Sequence, residues 1–368
     1  MPNAYCLTPL LSLMLILGIE SSCDETAAAV VEDGRRVRSS VVAGQHEIHE
    51  EYGGVVPELA SRAHAERITA VVTRALEEAD CGLGEIEAVA VGHRPGLIGA
   101  LLVGVSAAKA LAWSLGVPLV GVDHVRARLW AGLLETDAEL GDVFPALGLV
   151  ISGGHTAMFR CGAPTELVRL GGTIDDAVGE AYDKAAAILG LGHPGGPTID
   201  RLAQEADAND RAVELPVSRL GKESLDFSFS GLKTALLYEV RGVPGPGGVF
   251  ERTNASLTHE RKRDLAASFQ RVASKAIVLK MERALDVIEE KPRAILVGGG
   301  VSANSRIRRE LGELAERRGL KLVLPEMRFC VDNAAMIAGL GHHRLGQGEH
   351  DDLTLRASPS MSPIKSGG

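Results

Sequence analysis

What the chain lacks narrows it first. Its five cysteines, Cys6, Cys23, Cys81, Cys161 and Cys330, form no C-x-x-C pair, which argues against a zinc ribbon and a disulfide framework and fits a reducing cytoplasm. No G-x-x-x-x-G-K-[ST] occurs, so a P-loop is excluded. H-E-x-x-H is missing too, and no Ser/His/Asp set makes a recognisable local hydrolase signature. The opening MPNAYCLTPLLSLMLILGIE has a short apolar run but neither a basic segment before it nor a small-residue cleavage site after it. Residues 1–13 therefore read as an extension, disordered or a start placed too early, and not as a signal peptide. No stretch reads as long enough to cross a membrane. A formal net charge of −9 disfavours nucleic-acid binding by the surface as a whole. Local basic clusters stand at GRRVR (34–38) and ERKRD (260–264), although such clusters are more often solvated faces than grooves.

Turning to what is present, 368 residues exceed what one hydrophobic core usually organises, so two α/β domains sharing a cleft are expected. LILGIESS, AAAVVE and RRVRSSVVAG, separated by CDET and DG, predict a three-stranded antiparallel meander. The plan recurs after residue 145 in ALGLVIS, AMFRC and ELVRLGG. IEAVAVG then leads through a loop into the helix ALLVGVSAAKALAWSL, as PRAILVGGG leads into SANSRIRRELGELAERR, and the short strands VPLVGV and LKLVLP follow. The repeat is one of element order with little residue identity. It predicts an N-terminal domain over 14–145, a C-terminal domain over 146–350, a disordered tail over 351–368, and a ligand at strand ends in the cleft. VPGPGGVFERTN reads as a surface loop before a long amphipathic helix.

Glycine-bearing or polar turns at ESSCDET, SGGHT, GHPGGP and GGGVSANS sit at matching points of the two halves. Glycine lets the backbone approach a bound group, and successive N–H groups make a nest for phosphate. Several such turns together favour a nucleotide or adenylate. Asp176, Glu180 and Asp183 share one face at helical spacing, either as a capped solvated helix or as acceptors for ribose hydroxyls. His46, His49 and His64 have spacing that invites a metal, but the carboxylate partners of a site are not evident, so structural or interface roles are expected.

The series LGIESSCDET, QHEIHEEYGGVVPELASRAH, SGGHT, IDDAVGEAYDKAAAILGLGHPGGPTID, DFSFSGLKTAL, GGGVSANSRIR and CVDNAAMIA resembles the motif series of the TsaD family over about residues 14–345. The resemblance implies duplicated actin/Hsp70/sugar-kinase-like (RNase H-like) domains. It also implies transfer of a threonylcarbamoyl group from threonylcarbamoyl-AMP to N6 of adenosine 37 in tRNAs reading ANN codons. By position Val150, Ile151, Ser152, Gly153, Gly154, Asp183, Gly196, Asp200 and Asn304 would hold the adenylate. One divalent metal, iron or zinc, is implied on an H-x-x-x-H pair and an aspartate. Those positions here are His124, Arg128 and Asp332. The implied partners are tRNA, a TsaB-like paralogue and a TsaE-like ATPase.

The chain departs from the pattern twice. Arg128 cannot give up its proton to bind a cation and brings a positive charge instead, so a three-ligand set becomes His124 and Asp332. Either substrate oxygens complete a weaker metal shell, or the guanidinium takes over part of the ion's work. Arg94 stands where the T-x-G-P-G-L loop has glycine, with His93 beside it as a conceivable replacement ligand. The expected chemistry is attack of the tRNA amine on the carbonyl of a mixed carbamic-phosphoric anhydride, with AMP leaving. The SGGHT backbone and any metal at His124 and Asp332 would stabilise charge, and Asp24, or else Glu25, would receive the proton. The rival readings are a small-molecule kinase or ATPase of the same fold and a non-catalytic scaffold.

Overall fold

The computed structural model describes residues 13–361 apart from 50, 51, 53, 219, 222, 246, 247, 249 and 251. The extension expected over 1–13, save Leu13, lies outside the described residues, as does the end of the tail. The chain divides into two compact units, one of residues 13–127, 134–136 and 333–361, the other of 128–133 and 137–332.

Unit 1 opens with β1 (Leu15–Glu20), β2 (Glu25–Glu32) and β3 (Arg36–Gly44), followed by the helical turn α1 (His46–His49) and helix α2 (Pro57–Glu78). Strand β4 (Ala88–Arg94), helix α3 (Ile98–Leu115) and strand β5 (Leu119–Asp123) complete the sheet, whose order is β3-β2-β1-β4-β5. The first three strands are antiparallel neighbours; β4 runs parallel to β1, and β5 parallel to β4. Alternation along β1 sorts its two faces. Leu17 and Ile19 enter the core with Ile68 and Val72 of α2 and Val105 of α3, while the opposite face meets another helix at Gly18, where a methyl group would collide with the Ala334 carbonyl.

Helix α4 (His124–Trp130) follows β5 directly and runs from unit 1 into unit 2. After α5 (Leu140–Val143), unit 2 repeats the sheet as β6 (Ala146–Ile151), β7 (Thr156–Ala163) and β8 (Glu166–Gly172). Helices α6 (Val178–Leu189), α7 (Gly195–Ala203), α8 (Ser230–Arg241) and α9 (His259–Val287) precede β9 (Ala294–Gly298), α10 (Ser305–Arg318) and β10 (Lys321–Val323). The sheet order is β10-β9-β6-β7-β8, the order of the first sheet read from the other end. Its core includes Leu149, Val178, Tyr182, Phe269 and Val297, with Tyr182 and Phe269 edge to face at 5.2 Å.

Three expectations change. The last helix, α11 (Ala335–Gly346), does not stay with the second half: it packs on β1 and β4, and the chain passes between the units after 127, 133, 136 and 332, not after 145. The tail is ordered as far as it is described, because Asp351 bridges to Leu119 and Leu355 buries itself in the unit 1 core. Finally, α3, at 18 residues, is by length and composition apolar enough to cross a membrane. One face of it, with Leu101, Val105 and Ala108, is buried and the helix packs with α2 and β4, while Ile98, Leu102 and Trp113 are exposed.

Candidate functional site

In unit 1 the turn after β1 is closed by the protein's own groups. Glu20, buried at the end of β1, accepts the Ser22 N–H at 2.6 Å with Oε1 and the Nδ1 of His124 at 2.9 Å with Oε2. Ser22 Oγ lies 3.3 Å from the same nitrogen. The Ser22 carbonyl accepts from Leu97 N–H at 2.8 Å, and Nε2–H of His64 donates to the Cys23 carbonyl at 3.0 Å while Nδ1 accepts from the Thr26 hydroxyl at 2.8 Å. Burial pushes the His64 pKa down, which keeps that ring neutral and suited to one donor and one acceptor. Asp24 occupies the half-buried bend before β2, and Glu25 is the first residue of that strand.

Unit 2 uses the corresponding turn differently. Ser152 is held on both sides, its N–H donating to the His155 carbonyl at 2.8 Å and its own carbonyl accepting from Gly179 N–H at 3.2 Å. Gly153 and Gly154 between them are exposed, outside the left-handed region of φ, and a Cβ on either would meet nothing within 4 Å. The fold itself does not require glycine there, so the small residue leaves the backbone open to a close partner. Val150 and Ile151 are wholly buried and paired with Ala157 and Thr156 of β7, so they support the turn from behind. The β6 end meets β9 at Gly299, whose φ of +95° and closeness to the Ile151 carbonyl do require glycine.

The remaining residues expected at an adenylate converge on this same unit. Asp183 accepts Gly195 N–H at 2.8 Å and keeps 37% of its side chain exposed, next to Gly196, which also has open space above it. Asp200 is more committed: Oδ1 accepts from Gln270 Nε2 at 2.9 Å and Ser305 Oγ at 2.6 Å, and Oδ2 from Ser305 N–H at 3.1 Å. Asn304 caps α10 by accepting Ile307 N–H at 3.0 Å, and its amide donates to Gln270 Oε1 at 2.9 Å. Both ends of its side chain are thus occupied within the protein. Gln270 and Ser305 escaped the sequence reading, since no local spacing ties them to residues 70 and 105 positions away.

Asp176 differs from expectation. It precedes α6, because Ala177 takes an extended conformation as the cap, and so does not share a helix face with Glu180 and Asp183. Its carboxylate instead bridges Lys184 at 2.7 Å and Lys233 at 2.9 Å. These bonds hold its pKa down despite an opposing desolvation effect. The basic clusters are likewise engaged: Arg36 and Arg38 pair with Glu32, and Arg261 pairs with Glu239.

The positions expected to hold metal show different chemistry. Arg128, one helical turn after His124 on α4, places Nη2 2.5 Å from Asp332 Oδ1, with the two side chains 9% and 14% exposed. Guanidinium donates and cannot ligate, so the carboxylate that an ion would need is engaged by a cation of the protein. Among the described residues no group of three or more His, Cys, Asp or Glu side chains is placed to hold an ion. His93 does not replace the missing ligand: its Nδ1 pairs with the Arg356 carbonyl at 3.0 Å and its Nε2 accepts from Arg94 Nε at 3.1 Å. The residues present do not fit the family's metal.

Two sheets of order 3-2-1-4-5, each with a meander followed by two parallel strands, define a protein of the actin/Hsp70/sugar-kinase class. Full-length HypF is a structural neighbour at TM-score 0.56 and 12% identity, covering 92% of this chain, which spans 47% of HypF. A family model described as TsaD, tRNA N6-adenosine threonylcarbamoyltransferase, matches residues 36–339. A protein of that description from Trichlorobacter lovleyi is 50% identical over 346 residues, 94% of this chain and 96% of its own. Another, from Syntrophotalea carbinolica, is 47% identical over 344 residues, 94% and 95% of the two chains. The chain belongs to the TsaD family.

Proposed function

We propose that the transfer characteristic of the family, of a threonylcarbamoyl group from threonylcarbamoyl-AMP to N6 of adenosine 37 in tRNAs reading ANN codons, is carried out here with the adenylate seated on unit 2. The enzyme class follows from membership: the chain is a tRNA N6-adenosine threonylcarbamoyltransferase. The observation that carries the seating is the turn at Gly153 and Gly154, fixed through Ser152 yet open above both glycines.

In this reading the open backbone at Gly153 and Gly154, held from behind by Val150, Ile151 and Ser152, supplies donors to the adenylate, and Asp183, with Gly196 beside it, takes the ribose hydroxyls. Asp200 and Asn304 act from behind: through Gln270 and Ser305 they tie α7, α9 and the start of α10 into one frame. The N6 amine attacks the carbamoyl carbonyl carbon, the bond to the phosphate oxygen breaks, and AMP leaves. Because AMP is a good leaving group, the protein's work is orientation and stabilisation of developing charge, roughly 3 kcal/mol per well-placed donor in other acyl transfers. Asp24 is assigned to receive the amine proton, with Glu25 the second choice. No step passes through a metal, since the donor set does not suit one. An acidic chain without an RNA-binding appendage calls for a composite tRNA surface, to which a TsaB-like paralogue and a TsaE-like ATPase would contribute.

Reconstitution with threonylcarbamoyl-AMP, tRNA and these partners tests the reading. Modified adenosine should form, and should fall at least tenfold with Gly154→Val and with Asp24→Asn. Absence of product with partners shown to be active on another family member would overturn it.

A further inference from the structure

Arg128 stands at the one position that turns the expected three-ligand set into two, and the structure shows what it does there. Its guanidinium engages Asp332 at 2.5 Å in surroundings that leave both side chains mostly buried. The arginine is also fixed from the backbone side. Its carbonyl lies against Gly298 at the end of β9, so closely that a methyl group on that glycine would collide with it. One turn earlier, His124 keeps the second partner that a metal-bound histidine typically has, a carboxylate on Nδ1, here Glu20 at 2.9 Å. Thus His124 keeps an orienting carboxylate, while position 128 carries an ion pair where the family has a ligand.

We propose that the Arg128 guanidinium, paired with Asp332, occupies the place of the cation and keeps a transition-metal ion out of this position. The cation at this position is then a charge that belongs to the chain, held by a mostly buried carboxylate, and the fixed guanidinium repels a divalent ion approaching the same oxygens. The inference rests on family membership for the expected ligand positions but not on the transfer reading, and its test uses neither tRNA nor acyl donor.

The full-length protein, Arg128→His and the double variant Arg128→His/Asp332→Asn are each incubated anaerobically with Fe2+ or with Zn2+, desalted and analysed for metal by mass spectrometry. The parent protein should keep well under about 0.1 equivalent, whereas Arg128→His should hold about one and the double variant should lose it. Zn2+ should raise the melting temperature of Arg128→His and leave that of the parent unchanged. Circular dichroism and gel filtration report whether the variants fold. Should Arg128→His fold poorly, the parent and its Asp332→Asn variant decide the matter alone: stoichiometric metal in the parent that disappears with Asp332→Asn overturns the proposal. A folded Arg128→His protein that gains no metal also overturns it, since something other than the arginine would then exclude the ion.

Discussion

The two units share a strand order but differ in how they use the turn after their first strand. In unit 1 that turn is packed shut. The Ser22 and Cys23 carbonyls accept from Leu97 and His64, and Glu20 is occupied by Ser22 and His124. In unit 2, Ser152 is anchored just as firmly, but the next two residues are glycines with nothing above them. Duplication therefore supplied two equivalent frames, of which one turn fixes side chains and the other leaves backbone exposed. Topology alone does not tell which is which; the hydrogen bonds do.

The largest effect expected from breaking this arrangement is at Arg128 in unit 2. Arg128→Met removes an ion-pair partner of Asp332, whose carboxylate is mostly buried. Chemical denaturation should show a loss of about 3 kcal/mol, the low end for breaking a buried pair because 14% of the Asp332 side chain still sees water. Adding Asp332→Leu to that variant should recover much of the loss, since the buried charge is then gone.

A matched pair of glycine substitutions sharpens the contrast between the turns. Gly96→Ala in unit 1 drives a methyl group into the Ser22 carbonyl and should cost about 1–3 kcal/mol, with adenylate affinity preserved in the fraction that stays folded. Gly154→Ala in unit 2 meets no protein atom and should alter stability by less than about 0.5 kcal/mol. Its effect belongs in calorimetric titration with AMP, where affinity should fall at least tenfold. Equal stability losses at the two positions would show that both turns serve packing.

Acid should also separate the units. His64 and His93, both in unit 1 and almost wholly buried, have pKa values lowered first of all by burial, with backbone hydrogen bonds opposing. The unfolded chain then binds protons below about pH 6.5 that the folded one resists, so stability is full above that value. It falls as pH drops from there through the depressed folded values, with a slope of at most about 1.4 kcal/mol per pH unit for each ring. Hydrogen exchange at pH 7.5 and 5.5 should show β1 and α2 losing more protection than β6. His64→Gln should reduce that difference.

Much of this architecture was legible in the residues. Alternation and turn chemistry marked the meanders, and the long amphipathic segment became α9. The glycine turns pointed to a nucleotide. What the chain did not reveal were relations across long separations. Arg128 and Asp332 were tied together only by the family's ligand set, and their direct ion pair across 204 positions was not foreseen, while Asp200 finds Gln270 and Ser305 through folding alone. Asp176 was misplaced by spacing because helical periodicity cannot show where a helix begins; the extended Ala177 decides that. The return of α11 to β1 was equally hidden, since element order says nothing about which sheet a terminal helix covers.

The smallest predicted effect concerns how each unit starts its long helix. In unit 2, α9 begins at Thr258, whose hydroxyl accepts the Arg261 N–H at 3.2 Å, whereas α2 in unit 1 follows Val56 with no side-chain cap and relies on Pro57 in its first turn. Thr258→Ala should therefore cost about 1 kcal/mol and Thr258→Ser almost nothing, measured as a shift in denaturation midpoint at constant slope. Val56→Ser should move stability in the opposite direction by a similar amount, provided Val56 keeps its extended backbone, φ −99° and ψ 111°, in which a serine hydroxyl can reach the first turn. If Thr258→Ala has no effect, the opening of α9 is held by tertiary packing alone, and the two long helices do not differ in the way their ends imply.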